Sequence, residues 1–270
     1  MQTLRSLGSI LSLQALLVAG LAIASTQLCR ATGLVADFPL TLIGTAVIFP
    51  IVFSIGGAYK RRENALDAYG SLKAHGRAIF LATRDWIEVP DLDLQQRARE
   101  RLERLLAACR ELFKTPVSRM EEPEEEVYRQ LSLLSRFVRG LRAHGLPSGE
   151  ASRCNQYLSK TILAFERVKH IYQYRTPRTL RSYSRFFMVA LPVAYGPYFA
   201  HVADGAPAVL AFVTPVLLSL VLVGLENIQE HLEDPFDQIG EDDVLINAEK
   251  FVARLEPIGA DEPGQTVRAA

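Results

Sequence analysis

The chain has 270 residues, 49% hydrophobic and 22% charged, with 30 basic and 30 acidic side chains, and its mean hydropathy is +0.11. That balance is too apolar for an ordinary soluble enzyme and too charged for a wholly embedded transporter, which implies a membrane part joined to a solvated part. The net charge of zero gives no global argument for a nucleic-acid partner, and three scattered cysteines with no CxxC pair speak against a disulfide framework or a zinc site.

The first apolar segment, Leu7 to Leu28, holds no charged residue and is about as long as a bilayer-crossing helix requires. A cleaved signal peptide is the competing reading, with Arg5 in its basic region and Ala22-Ile23-Ala24 at its cleavage site, but the apolar run is long for that role. Phe38 to Gly57 is a second uncharged run, Phe186 to Val202 a third, and Pro207 to Leu225 a fourth. The third is short and contains Pro192 and Pro197. Placed a few residues before the fourth, it reads as the first arm of a helical hairpin.

Basic residues orient the spans. Lys60, Arg61 and Arg62 follow the second run directly, and Arg175, Arg178, Arg181 and Arg185 crowd the entrance to the third. The links around Arg30 and Asp37, and around Asp204, are short and nearly neutral. The expected organisation is therefore two spans over 7–58, a cytoplasmic helical domain over 59–185, two spans over 186–225, and a cytoplasmic acidic segment and tail over 226–270. Both termini fall on the cytoplasmic side. The fold class is an all-α membrane protein with four transmembrane helices and a large helical domain.

Within that domain the apolar positions keep helical periods. Asp91 and Asp93 open a run with Leu94, Ala98, Leu102, Leu105, Cys109 and Leu112 on one face. Glu121 to Glu126 stand where a helix start would welcome negative charge. Val127, Leu131, Leu134, Val138 and Leu141 continue from there as a stripe, up to Gly145-Leu146-Pro147. That stripe suits packing within the chain or between subunits. A further helix follows Ser148, with Tyr157, Leu158, Ile162, Phe165 and Val168 facing inward.

Glu226-Asn227, Glu233-Asp234-Pro235-Phe236-Asp237 and Glu241-Asp242-Asp243 come after the fourth run. Around the second, Phe49-Pro50-Ile51-Val52-Phe53 leads through Gly56-Gly57 to Tyr59, Arg61 and Tyr69-Gly70. A third stretch runs from Arg175-Thr176-Pro177 to Phe186-Phe187 and Leu191-Pro192. Together these segments resemble the bestrophins, a family of pentameric ion channels with the topology derived above. The paired tryptophans common after that family's pore helix are replaced here by Arg62 and Glu63. The resemblance implies a homo-oligomer, expected to be a pentamer, in a bacterial inner membrane, conducting chloride or another anion. A cation-permeable channel on the same fold and a non-conducting interaction protein are the alternatives. A cytoplasmic constriction is expected near Leu146 to Ser152.

Thr45, Phe49, Phe53 and Gly57 are spaced by four and so share one helix face. In a ring of subunits such a face presents stacked collars of phenyl edges, which are partially positive and can gate by dewetting. The resemblance puts the channel neck at Phe49 and Phe53, with Thr45 or Gly57 as a third member. A lipid-facing position, or packing against another span, is the plainer explanation. Lys60, Arg61 and Arg62, with the flank from Arg175 to Arg185, are expected at the cytoplasmic mouth, where they would concentrate anions, although setting topology explains them equally.

Glu233, Asp234, Asp237, Glu241, Asp242 and Asp243 form an acidic segment for which the resemblance to some bestrophins suggests calcium; the plainer reading is a belt on a neighbouring subunit's arginines. No other cofactor is expected, and the spacing is not that of an EF-hand loop. Five dispersed histidines (His75, His144, His170, His201 and His231) and the absence of GxSxG, GxxxxGK[ST] and HExxH argue against an enzyme.

Overall fold

The computed structural model describes residues 12–38, 40–174, 178–204, 207, 209–233, 235–236 and 244–257. Of these, 85% are helical, and no strand occurs among them. In chain order the helices are α1 (Leu13–Thr32), α2 (Leu40–Asp85), α3 (Leu92–Lys114), α4 (Glu121–Gly140), α5 (Ser148–Gln173), α6 (Arg178–Ala194), α7 (Gly196–Asp204), α8 (Leu210–Glu233) and α9 (Ala248–Val252). Two compact units result. One comprises residues 1–62 and 175–234, the other residues 63–174 and 235–270.

Three stretches among the described residues are long and apolar enough to cross a membrane: Leu13–Thr32, Arg181–Asp204 and Leu210–Glu233. The second expected span is not a helix of its own. It is the leading part of the 46-residue α2, which runs on through Lys60, Arg61 and Arg62 to Asp85. No proline follows Pro50 in that stretch, and neither Gly56-Gly57 nor the change from apolar to charged composition ends the helix. The third expected span is likewise two helices, divided at Tyr195 between Pro192 and Pro197.

In the first unit α1 lies against α6, α7 and α8. Ser12 caps its start, its hydroxyl oxygen accepting from the Ala15 amide at 3.2 Å, and Gly33 ends it at φ 68°. At Gly196 a Cβ would come 3.1 Å from the Ser25 backbone carbon, so the crossing of α1 and α7 needs a residue without a side chain. The main buried cluster joins Val47 and Ile51 of α2 to Met188, Leu191, Tyr195, Phe199 and Leu222.

The second unit has its own core. Every member of the Leu94-to-Leu112 stripe is buried, as is every member of the Val127-to-Leu141 stripe. The latter therefore packs inside this chain, where α4 meets α3 and α5. Asp91 caps α3 by accepting from the Leu94 amide at 2.9 Å. A 3-10 turn over Leu141–His144 ends the α4 region at Gly145, whose φ of 92° suits glycine. The expected C-terminal region is divided: residues 226–233 complete α8, whereas 235–236 and 244–257 belong to the second unit. There Phe236 is fully buried, with its ring centroid 5.1 Å from that of Phe113.

Candidate functional site

The leading part of α2 has two opposed faces. Val47, Ile51, Ser54 and Ala58 recur at three and four residues, and all are buried. Phe49 and Phe53 stand two residues after Val47 and Ile51, which at 3.6 residues per turn puts them on the far side of the helix. They are 60% and 64% exposed. Thr45, Gly56 and Gly57 are exposed on that side too. The two rings meet edge to face with centroids 4.6 Å apart, a favourable aromatic geometry. Most of each ring is thus left uncovered by the described residues of this unit.

Just beyond, Lys60 is exposed while Arg61 and Arg62 are half-buried and engaged in polar contacts. Glu233 is the one member of the expected acidic group whose surroundings are described; Asp234, Asp237, Glu241, Asp242 and Asp243 lie outside the described residues. Glu233 is buried, and its Oε2 accepts from Arg181 Nη1 at 3.1 Å. Among the described residues no group of three or more His, Cys, Asp or Glu is placed to hold a metal ion.

Glu233 belongs to a larger ion-pair array. Glu226, Glu230 and Glu233 succeed one another at four and three residues along α8, facing Arg181 and Arg185 four apart on α6. Arg185 Nε donates to Glu226 Oε1 at 2.7 Å, and its Nη2 reaches Glu230. Gln14 of α1 donates to the other oxygen of Glu226 at 2.9 Å. Gln229 Nε2 donates to Glu233 Oε1 at 3.2 Å. Three helices of one unit are thus tied by polar contacts at one end. Such contacts hold membrane helices together where apolar burial adds little.

From the sequence alone Arg181 and Arg185 are expected to set topology or to enrich anions at the cytoplasmic mouth; their glutamate partners are not evident there. A signal was present in the matched spacing of two arginines at the start of one apolar helix and three glutamates at the end of another. Pairing them required knowing that α6 and α8 are neighbours.

No family model matches the chain, and no curated protein does. Solved structures do. A variant of a bacterial bestrophin homologue from Klebsiella pneumoniae superposes with a TM-score of 0.69 at 19% identity, covering 93% of this chain and 99% of that one. Two further variants of the Klebsiella pneumoniae homologue give TM-scores of 0.66 and 0.65 at 19% and 20% identity, each covering 93% of this chain and 97% of theirs. The chain has the bestrophin fold.

The resemblance carried by the Pro235-Phe236 and Phe49-to-Gly57 segments therefore holds at the level of fold across nearly the whole chain. This is an all-α membrane protein. Within the bestrophin fold Phe236 has a packing role, filling the second unit's core against Phe113. The glutamates of the ion-pair array lie in the last turns of α8, before Pro235 in sequence.

Proposed function

We propose that this protein is a homo-oligomeric ion channel, a pentamer of the bestrophin type, conducting chloride and other anions through a neck lined by Phe49 and Phe53. One observation carries the reading: two large rings stand 60% and 64% exposed on the side of α2 opposite its buried stripe. A membrane helix gains nothing in water from such rings, whereas a symmetric assembly can close them into a collar. Phenyl edges turned to the axis favour a partly dehydrated anion, and the apolar constriction supplies a dewetting gate. Thr45 and Gly57 extend the same face by a turn at either end. Lys60, Arg61 and Arg62 enrich anions at the cytoplasmic mouth.

Both termini are cytoplasmic in this proposal, the membrane is a bacterial inner membrane, and conduction needs no cofactor. Calcium at the segment from Glu233 to Asp243 is the alternative, tested by chelation during recording. The deciding experiment is current through purified protein in planar bilayers under a chloride gradient. A reversal potential near the chloride equilibrium value, altered by Phe49→Ala with Phe53→Ala, is the expected result. Reversal near the cation equilibrium value would make the channel cation-permeable, and absence of current from well-incorporated protein would leave a non-conducting interaction protein.

A further inference from the structure

The second unit contains a cleft of about 680 Å³ between the middle of α2 and the segment around α9. That volume lies within the range of small-molecule sites, roughly 300–1,000 Å³. Lys73 and Arg77 enter it from α2, Lys250 and Arg254 from the C-terminal segment, and no Asp or Glu is among the described residues that line it. Lys73 and Arg77 are four apart on one helix, a like-charge spacing that weakens a helix rather than supporting it. Glu249, next to Lys250 in the chain, is turned to Arg110 at 3.0 Å.

The uncharged part of the wall is mostly small or aliphatic, with two aromatic residues among it. Tyr69 and Phe251 line the cleft, and Lys73 Nζ sits 4.4 Å from the Tyr69 ring centroid. Burial, then the nearness of Arg254 and Arg77, holds the Lys73 ammonium below its ordinary range. An anion placed among these cations would relieve that repulsion. A cleft lined by one sign of charge also concentrates ions of the other.

We propose that this cleft binds a small compound carrying several phosphate charges. Four cations exceed what a single carboxylate or a chloride ion would neutralise. Arginine forks fit phosphate oxygens in pairs, while lysine contributes a point charge. A soluble polyphosphate compound and an acidic lipid headgroup share this chemistry.

Full-length protein in phosphatidylcholine nanodiscs, titrated with inorganic pyrophosphate, tests the soluble source. Nanodiscs with and without phosphatidic acid, compared by thermal unfolding, test the lipid source. Arg77→Gln with Arg254→Gln removes two exposed charges and no buried group. Loss of these two charge-assisted contacts should weaken binding by about tenfold or more. Arg136→Gln with Arg139→Gln removes the same charge from an exposed part of α4 and should change neither readout. Saturable pyrophosphate binding lost only in the cleft variant supports the site with a soluble ligand. Stabilisation by phosphatidic acid alone, lost in the same variant, supports it with a lipid. No binding in either arm, or binding equal in both variants, overturns the proposal.

Discussion

Arg185 Nε lies 2.7 Å from Glu226 Oε1, joining a side chain that is 60% exposed to one that is only 4% exposed. The two ends of this pair are therefore unequal. Arg185 retains water and a second carboxylate, Glu230, whereas Glu226 has the guanidinium and the Gln14 amide.

Removing the arginine should hurt more than neutralising the acid. Arg185→Ala strands a buried carboxylate and is expected to destabilise by about 1–3 kcal/mol, below the range for fully buried pairs because the guanidinium is half in solvent. Glu226→Gln keeps an acceptor for Gln14 and leaves Arg185 with Glu230, so its effect should be the smaller. Thermal unfolding of both variants in one detergent decides the order; equal losses would mean that the pair contributes symmetrically.

Phe49→Ala and Phe53→Ala should separate conduction from stability. Both rings are exposed in the folded chain, and alanine is the better helix former. The unfolding temperature of the double variant is expected to stay close to that of the parent while single-channel conductance rises as the constriction widens. Unaltered conductance would remove both rings from the permeation path.

Phe236→Ala should act through the second unit's core. The ring is fully buried and stacked on Phe113, so truncation leaves a cavity and is expected to cost about 3–5 kcal/mol. Phe236→Leu should recover much of that loss. Denaturant unfolding followed by Trp86 fluorescence reports it.

Gly196→Ala should loosen α1. The added methyl meets Ser25 backbone as well as side chain, so accommodation requires the helices to separate, at about 1–3 kcal/mol. Gly20→Ala, where a Cβ would meet open space, is the matched control and should be neutral.

Alkaline pH should destabilise the second unit. Burial pushes the Cys109 thiol up from 9.0 to about 12, and burial pushes Tyr69 up from 10.0 to about 12. The unfolded chain releases these protons near the ordinary values while the folded chain retains them. Their stabilisation is thus complete below the ordinary values and disappears as pH rises through the folded ones. Lys169 adds to the same trend: burial opposes its charge, yet Glu166, Tyr128 and Glu124 together hold the ammonium above its ordinary range. Its contribution fades above the ordinary value of 10.5. The unfolding midpoint should fall steadily from pH 9.0 to about 12, with a shallower start in Cys109→Ala.

Composition and periodicity determined the helical class, three of the four expected membrane segments and the inward stripes of α3, α4 and α5, because burial acts residue by residue along a helix face. The Pro235-Phe236 pair and the Phe49-to-Gly57 run were enough to recognise the bestrophin fold. Helix ends were less legible. Nothing local in the charged stretch after Gly57 announces that α2 continues to Asp85. Only tertiary structure decided that Arg185 meets Glu226, that Phe236 stacks on Phe113, and that Lys73 and Arg77 share a cleft with Lys250 and Arg254. Each of these joins residues far apart in the chain, and such contacts are selected by the fit of whole helices against one another, which no window of sequence contains.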